Sequence, residues 1–334
     1  MKTLRLISYL LLLQVLAACQ YYIELPVRDK DGKLFAECFV NERDTNFIRV
    51  KVTSPVNADP VTVPIDSAEI IMRSGEERLE VHKYGGAGNG VYYSIGNVDP
   101  GASVSLEIDV PGRGRLEAED VVPSLQDYTF ERILRDEAGH LKLDFQIAIR
   151  KSEGSKGLYG IRFLRKHIEQ YRITGPDGKI EYKTYNRGTE VPYELSIQTS
   201  APFGQSGTDG DEIFQTEING EQIYILPKID DMNELTVDLV SSFSEDRKEP
   251  FGPAPDSVIF KTLYNITLYH LSEDTYRYLK AQNDIRINYG ARFNLASPSF
   301  AFTNFQGGYG VLGCCSKKGS GWIDNYNAVE PFRY

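Results

Sequence analysis

The sequence predicts a mainly β protein: an N-terminal immunoglobulin-like β-sandwich followed by a larger antiparallel β-sandwich or barrel-like domain with one short helix. Three observations lead there. Val104-Ser105-Leu106-Glu107-Ile108-Asp109-Val110 and Leu141-Lys142-Leu143-Asp144-Phe145-Gln146-Ile147 alternate apolar and polar residues without a fault, the pattern of a strand with one buried and one wet face. Asp177-Gly178 and Asn219-Gly220 sit between β-prone runs, where such dipeptides make hairpins. Only the stretch opening at Ser272 carries helix signals.

The chain opens with Lys2 and Arg5, then an apolar run from Leu6 to Leu16 broken by Ser8, Tyr9 and Gln14. This charged-then-apolar order is that of a secretory signal, and the run is too short to span a bilayer comfortably. It ends at Leu16-Ala17-Ala18-Cys19, small residues before a cysteine, which resembles a bacterial lipobox. Residues 1–18 are therefore expected to be a lipoprotein signal peptide, with Cys19 the first mature residue and the lipidation site. Two or three acyl chains hold a protein stably on a membrane, because each buried methylene contributes about 0.8 kcal/mol. Gln20 stands where an Asp would resemble an inner-membrane retention signal, so the outer membrane is the expected address.

Residues 19–334 suffice for two domains, and no second apolar run approaches spanning length. Losing Lys2 and Arg5 takes the formal net charge from −10 to −12, which argues against a nucleic-acid partner. The 21 Tyr and 16 Phe suit strands. Of the four cysteines, Cys38, Cys314 and Cys315 remain after Cys19. Cys314 and Cys315 lack a CxxC partner and a nearby His, and would point to opposite faces if they lie in a strand, so they read as one buried and one half-exposed thiol and not as a metal or redox site.

Taken in order, residues 19–122 make the first domain. Leu34–Val40 and Phe47–Val52 are strand-like, Pro55, Pro60 and Pro64 punctuate a loop, and short strands follow at Ala68–Met72 and Leu79–Tyr84. Asp29-Lys30-Asp31-Gly32 reads as a plain turn, since no Glu stands at the twelfth position of a calcium loop. Gly85-Gly86-Ala87-Gly88-Asn89-Gly90 leads into the strand-like Val91–Ile95 and not into a helix, so it reads as a hairpin loop and not a phosphate cradle. Val104–Val110 completes the sandwich, and Pro123 interrupts the last run, placing the domain boundary between 122 and 123.

Residues 123–334 form the second domain. Strands are expected at Leu141–Ile147, Leu158–Phe163, Leu235–Val240 and Leu263–Tyr269, with hairpins at Pro176–Lys179 and Asn219-Gly220. Ser200–Glu212 reads as a solvated acidic loop with too few carboxylates for calcium. Ser272 is an N-cap, Glu273 and Asp274 complement the helix dipole, and Tyr276 and Leu279 share a face through Lys280. Phe300–Gly313 is a tail rich in aromatic, Asn and Gly residues.

His82, His140, His167 and His270 stand in no metal-ligand spacing, and no nucleophile elbow, Walker loop or Cys-His context is present. The expectation is a non-enzyme without metal or cofactor. Two carboxylates facing each other across a cleft would revive a hydrolase, because a glycosidase pair need only meet in space.

The order of these features resembles a family of Bacteroidetes outer-membrane lipoproteins, domain of unknown function 4249. The resemblance rests on lipobox Cys19, the strands before Val121-Val122-Pro123, the block from Tyr264 to Leu279, and Pro298, Asn304 and Gly307–Gly313. It implies a lipid-anchored accessory protein, often associated with a TonB-dependent barrel, with no established reaction. The surface and periplasmic faces both stay open, because Glu24 alone is acidic between Gln20 and Leu25. Asp66-Ser67-Ala68 and Asp256-Ser257-Val258 also resemble the phylum's O-glycosylation sequon, which marks Ser67 and Ser257. The leading expectation is capture of a glycan or peptide nutrient with such a barrel. The alternative is a structural or adhesive surface lipoprotein without a transport partner. A concave pocket lined by several Tyr or by Trp322 would favour capture, and a long unprotected edge strand would favour adhesion.

Overall fold

The first half is built from eight strands: β1 (Leu34–Asn41), β2 (Asn46–Thr53), β3 (Thr62–Pro64), β4 (Glu69–Ser74), β5 (Glu77–Lys83), β6 (Val91–Ile95), β7 (Ser103–Val110) and β8 (Gly114–Val121). The computed structural model describes residues 32–41, 45–53, 62–124, 128–137, 140–150, 156–174, 176–190, 195–199, 213–228, 234–246, 258–287 and 302–324. β1, β2 and β6 form one wall of a sandwich, and β4, β7 and β8 form the other. β5 changes walls along its length, pairing Glu77–Leu79 with β4 and Glu80–Lys83 with β6. The alternation read in β7 sends Val104, Leu106, Ile108 and Val110 inward, where they meet Cys38, Ile48, Val50 and Met72. Burying each large apolar side chain contributes on the order of 1.5–3 kcal/mol. On the open side, Glu117 exchanges backbone hydrogen bonds with Gln306.

The second half comprises β9 (Tyr128–Glu137), β10 (His140–Arg150), β11 (Tyr159–Thr174), β12 (Ile180–Glu190), β13 (Leu195–Thr199), β14 (Phe214–Ile218), β15 (Glu221–Ile225), β16 (Glu234–Asp246) and β17 (Val258–Leu271). Helix α1 (Glu273–Ile287), β18 (Tyr309–Gly319) and β19 (Ile323–Asp324) follow. A four-stranded sheet, β13-β16-β10-β9, lies over one face of β11 and β17. Between them Phe145, Phe163 and Tyr264 meet at ring separations of 5.3–5.7 Å, a range in which tilted and edge contacts add to burial. α1 packs on the opposite face of the large sheet through Tyr276, Tyr278 and Leu279, against Phe39, Tyr269, Leu271 and Val311.

The structure departs from the sequence reading in four places. The segment read as a tail supplies β18, a central strand paired in parallel with β1 and antiparallel with β17. The large sheet therefore runs without interruption across the boundary expected between 122 and 123. Its glycines hide the strand and also make it possible. A Cβ on Gly310 would stand 1.7 Å from the Ala36 carbonyl oxygen, and one on Gly313 would stand 2.6 Å from Thr275 Oγ1.

β11 is one 16-residue strand where two short ones were expected, because its charged middle stretch carries no apolar alternation. α1 continues past Lys280 to Ile287. Cys315 is as fully buried as Cys314, since sandwich and helix cover both faces of β18. The two thiols do point to opposite sides, Cys314 into the sandwich core and Cys315 into the helix core.

Candidate functional site

The two ends of α1 differ in chemistry, and each gathers residues from distant parts of the chain. At the N-terminal end Ser272 acts as the cap its position predicts: Thr275 N donates to Ser272 Oγ at 3.1 Å. Ser272 Oγ in turn donates to Asp120 Oδ2 at 2.5 Å, and Cys314 N donates to the same oxygen at 2.7 Å. The Cys314 carbonyl accepts from Ser272 N at 2.9 Å and from Thr275 Oγ1 at 3.0 Å. Asn304 ties in the next turn, donating to Asp274 Oδ2 at 2.9 Å and to the Leu312 carbonyl at 2.8 Å. It also accepts from Leu312 N at 3.0 Å.

Burial pushes the Asp120 carboxyl up to about 6, against the pull of its hydrogen bonds from Ser272, Val121 N and Cys314 N. Burial likewise lifts the Cys38 thiol to about 12 and holds Cys314 well above its ordinary range, so neither supplies a thiolate nucleophile near neutral pH. Ser272, Thr275 and Cys314 are buried at the centre of this network. It acts as a joint between β8, β18 and α1.

At the C-terminal end α1 faces the β14–β15 hairpin. Asn219 and Gly220 both take positive φ, 51° and 83°, which is the two-residue turn that Asn-Gly favours. Asn219 Nδ2 donates to the Phe39 carbonyl at 2.9 Å and pins the hairpin tip to β1. Phe214, Ile218, Ile223 and Ile225 bury one face of the hairpin in the core beneath α1. Between hairpin and helix lies a cleft of about 390 Å³. Gln215, Thr216, Glu217 and Gln222 form one wall, and Gln282, Asn283 and Arg286 form the other. Arg286 Nη2 donates to Asn283 Oδ1 at 2.9 Å and to the Gln215 carbonyl at 3.3 Å, bridging the walls. The lining offers amides, a hydroxyl, one cation and one carboxylate. That is equipment for hydrogen-bonding a ligand, and a single carboxylate in the lining is not a glycosidase pair.

Of the residues singled out in the sequence, Cys19 and Ser257 lie outside the described residues. Ser67 is exposed, next to Asp66. Asp66 accepts from Gly88 N and, at 2.8 Å, from Gly90 N, and it pairs with Lys83 Nζ at 2.9 Å. These donors hold its carboxyl down at about 2, and they make Gly85–Gly90 a tied hairpin loop. Trp322 is 44% exposed beside Lys166, whose Nζ lies 5.5 Å from the ring centre, and it does not line the cleft. No tyrosine lines it either. Aromatics gather instead beside β2 and β6, where the exposed Tyr84 meets the half-buried Phe47 at 5.2 Å and Tyr93 at 6.1 Å. Gln215, Gln282, Asn283 and Arg286 escaped the sequence reading because they form no motif, although the Asn219-Gly220 hairpin beside them was legible.

Among the described residues no helix is long and apolar enough to cross a membrane, and no three His, Cys, Asp or Glu side chains group to hold a metal ion. A family model, Domain of unknown function (DUF4249), matches residues 21–320. The chain belongs to the DUF4249 family.

No curated protein matches this DUF4249 chain. Two solved structures are similar at low identity. One, described as the complete structure of manganese lipoxygenase of Gaeumannomyces graminis and partial structure of zonadhesin of Komagataella pastoris, is 11% identical. The match covers 72% of this chain and 89% of that chain, with a TM-score of 0.19. The collagen-binding domain of the Erysipelothrix rhusiopathiae surface protein RspB is 8% identical, over 86% of this chain and 97% of that chain, with a TM-score of 0.16.

Proposed function

We propose that this chain is a non-enzymatic binding lipoprotein of Bacteroidetes type. It is held on the outer membrane through Cys19 and captures a nutrient in the cleft between α1 and the β14–β15 hairpin for a TonB-dependent barrel. The observation that carries the reading is the cleft itself: about 390 Å³, within the size range of ligand sites, and lined by polar residues of a hairpin and a helix. The lipobox-like sequence supports the anchor.

The test is purification of the acylated protein from native outer membranes in mild detergent, with Cys19→Ala as the control. A barrel that co-purifies in fixed proportion, together with diacylglyceryl on Cys19, is the expected result. A protein that emerges alone removes the transport partnership and leaves the adhesive role. Ser67 is the accessible sugar-acceptor site on this reading, and an intact native mass without hexose increments removes it.

A further inference from the structure

The cleft has a strand edge for one wall. β14 closes the end of the large sheet, and among the described residues it pairs with β15 alone. A two-residue turn makes Ile218 and Glu221 a hydrogen-bonded pair, so along β14 the pairing groups alternate. Phe214, Thr216 and Ile218 spend their N–H and C=O on β15. Those of Gln215 and Glu217 point away from it into the cleft. The bond from Arg286 Nη2 to the Gln215 carbonyl confirms that direction. The N–H of Gln215 and both backbone groups of Glu217 have no partner among the described residues.

Resting on the capture reading above, we infer that this cleft takes an extended peptide, added as a further antiparallel or parallel strand to the edge of β14 that no described strand covers. Unpaired main-chain groups at alternate residues recognise a main chain, which a peptide has and a sugar lacks. Sugars are held largely by rings stacked on aromatic faces, and no aromatic side chain lines this cleft. The opposite wall supplies side-chain partners at helical spacing: Gln282, Asn283 and Arg286 reach the strand added beside β14. Arg286 leaves the Gln215 carbonyl as the peptide N–H takes its place, and it pairs with an acceptor on the ligand. The bound class is therefore a short polar peptide in β conformation.

The experiment incubates the mature soluble form, residues 20–334, with a tryptic digest of casein and, separately, with a mixture of neutral oligosaccharides, and identifies what is retained. The best retained peptide is then titrated against the wild type, Glu217→Pro and Glu217→Gln. Proline removes an N–H that the fold does not use, at an edge where proline is tolerated. The expected result is peptide retention, at least tenfold weaker binding by Glu217→Pro, and a change within about threefold for Glu217→Gln.

Equal binding by Glu217→Pro overturns strand addition, as does a loss in Glu217→Gln as large as in the proline variant. If Glu217→Pro fails to fold, hydrogen exchange on the wild type decides. Protection of the Gln215 and Glu217 amides on peptide binding supports the inference, and unchanged exchange overturns it. Oligosaccharides retained without peptides keep the capture reading and end this one. Retention of neither class removes both.

Discussion

The two ends of α1 make opposite use of polar side chains. At the N-terminal end Asp120, Ser272, Thr275 and Asn304 spend their hydrogen-bonding capacity on one another and on the backbone of β18. At the C-terminal end Gln215, Glu217, Gln282 and Arg286 face an open cleft, with one bridging hydrogen bond between the walls. A buried polar network that is fully satisfied specifies a structure, whereas unsatisfied groups at a surface are free to recognise something else. Motif-like spacing alone does not tell the two apart. Burial does.

Substitutions should separate the ends by size of effect. Gly310→Val is expected to be the most damaging: its φ is +117° and a Cβ would overlap the Ala36 carbonyl, so a loss above about 4 kcal/mol or failure to fold should appear in urea denaturation. Asp120→Ala should cost about 2–3 kcal/mol, because it leaves the buried Cys314 N–H with only its longer bond, 3.4 Å to Ser272 Oγ, and removes the acceptor of Ser272.

The same carboxyl sets a pH dependence. Its folded value of about 6 lies above the ordinary 3.8, so the folded state holds the proton more tightly than the unfolded chain does. The stability this contributes is full below pH 4, is lost as pH rises through 6, and then stays level. Asp120→Asn should remove that slope, on the order of 1–3 kcal/mol, from denaturation curves collected across the range.

Ser272→Ala should cost about 1–2 kcal/mol through loss of the cap and should increase fraying of the first turn, read by amide exchange at Thr275. Asp66→Asn should leave global stability almost unchanged and loosen Gly85–Gly90. In the wild type the Asp66 contribution is present above pH 4 and lost as pH falls toward 2, visible as faster exchange at Gly88 and Gly90. Arg286→Ala should have the smallest stability effect, within about 0.5 kcal/mol, while weakening ligand binding. A large stability loss in Arg286→Ala would erase the contrast between the ends.

What could be read from sequence follows how local each cause is. The Ser272 cap and the Asn219-Gly220 turn act over a few residues, so composition at those positions was enough. Alternation fixed the inward face of β7 for the same reason. Asp120 and Cys314 meet only after the fold is complete, and neither position carries a signal of the other. β18 was misread as a tail because Gly310 and Gly313 weaken its strand pattern, yet those glycines are what let β1 and α1 approach it. The cleft was illegible because hydrogen-bonding side chains from a hairpin and a helix converge there without a shared motif. One of Cys314 and Cys315 reads as half-exposed in sequence, because a sequence pattern cannot show that both faces of their strand are covered.

The parallel pairing of β1 with β18 also has a mechanical meaning. Any pull on the N-terminus enters the described fold along β1, the strand that lies nearest to it. That strand is held on both sides, to β18 from Phe35 through Asn41 and to β2 from Leu34 through Cys38. Force along its axis loads both ladders in shear, so many hydrogen bonds must yield together, whereas a peeled edge strand gives them up one at a time. The chain is clamped at the point where a tether would tug, and β18, from the far end of the described sequence, is one jaw of the clamp.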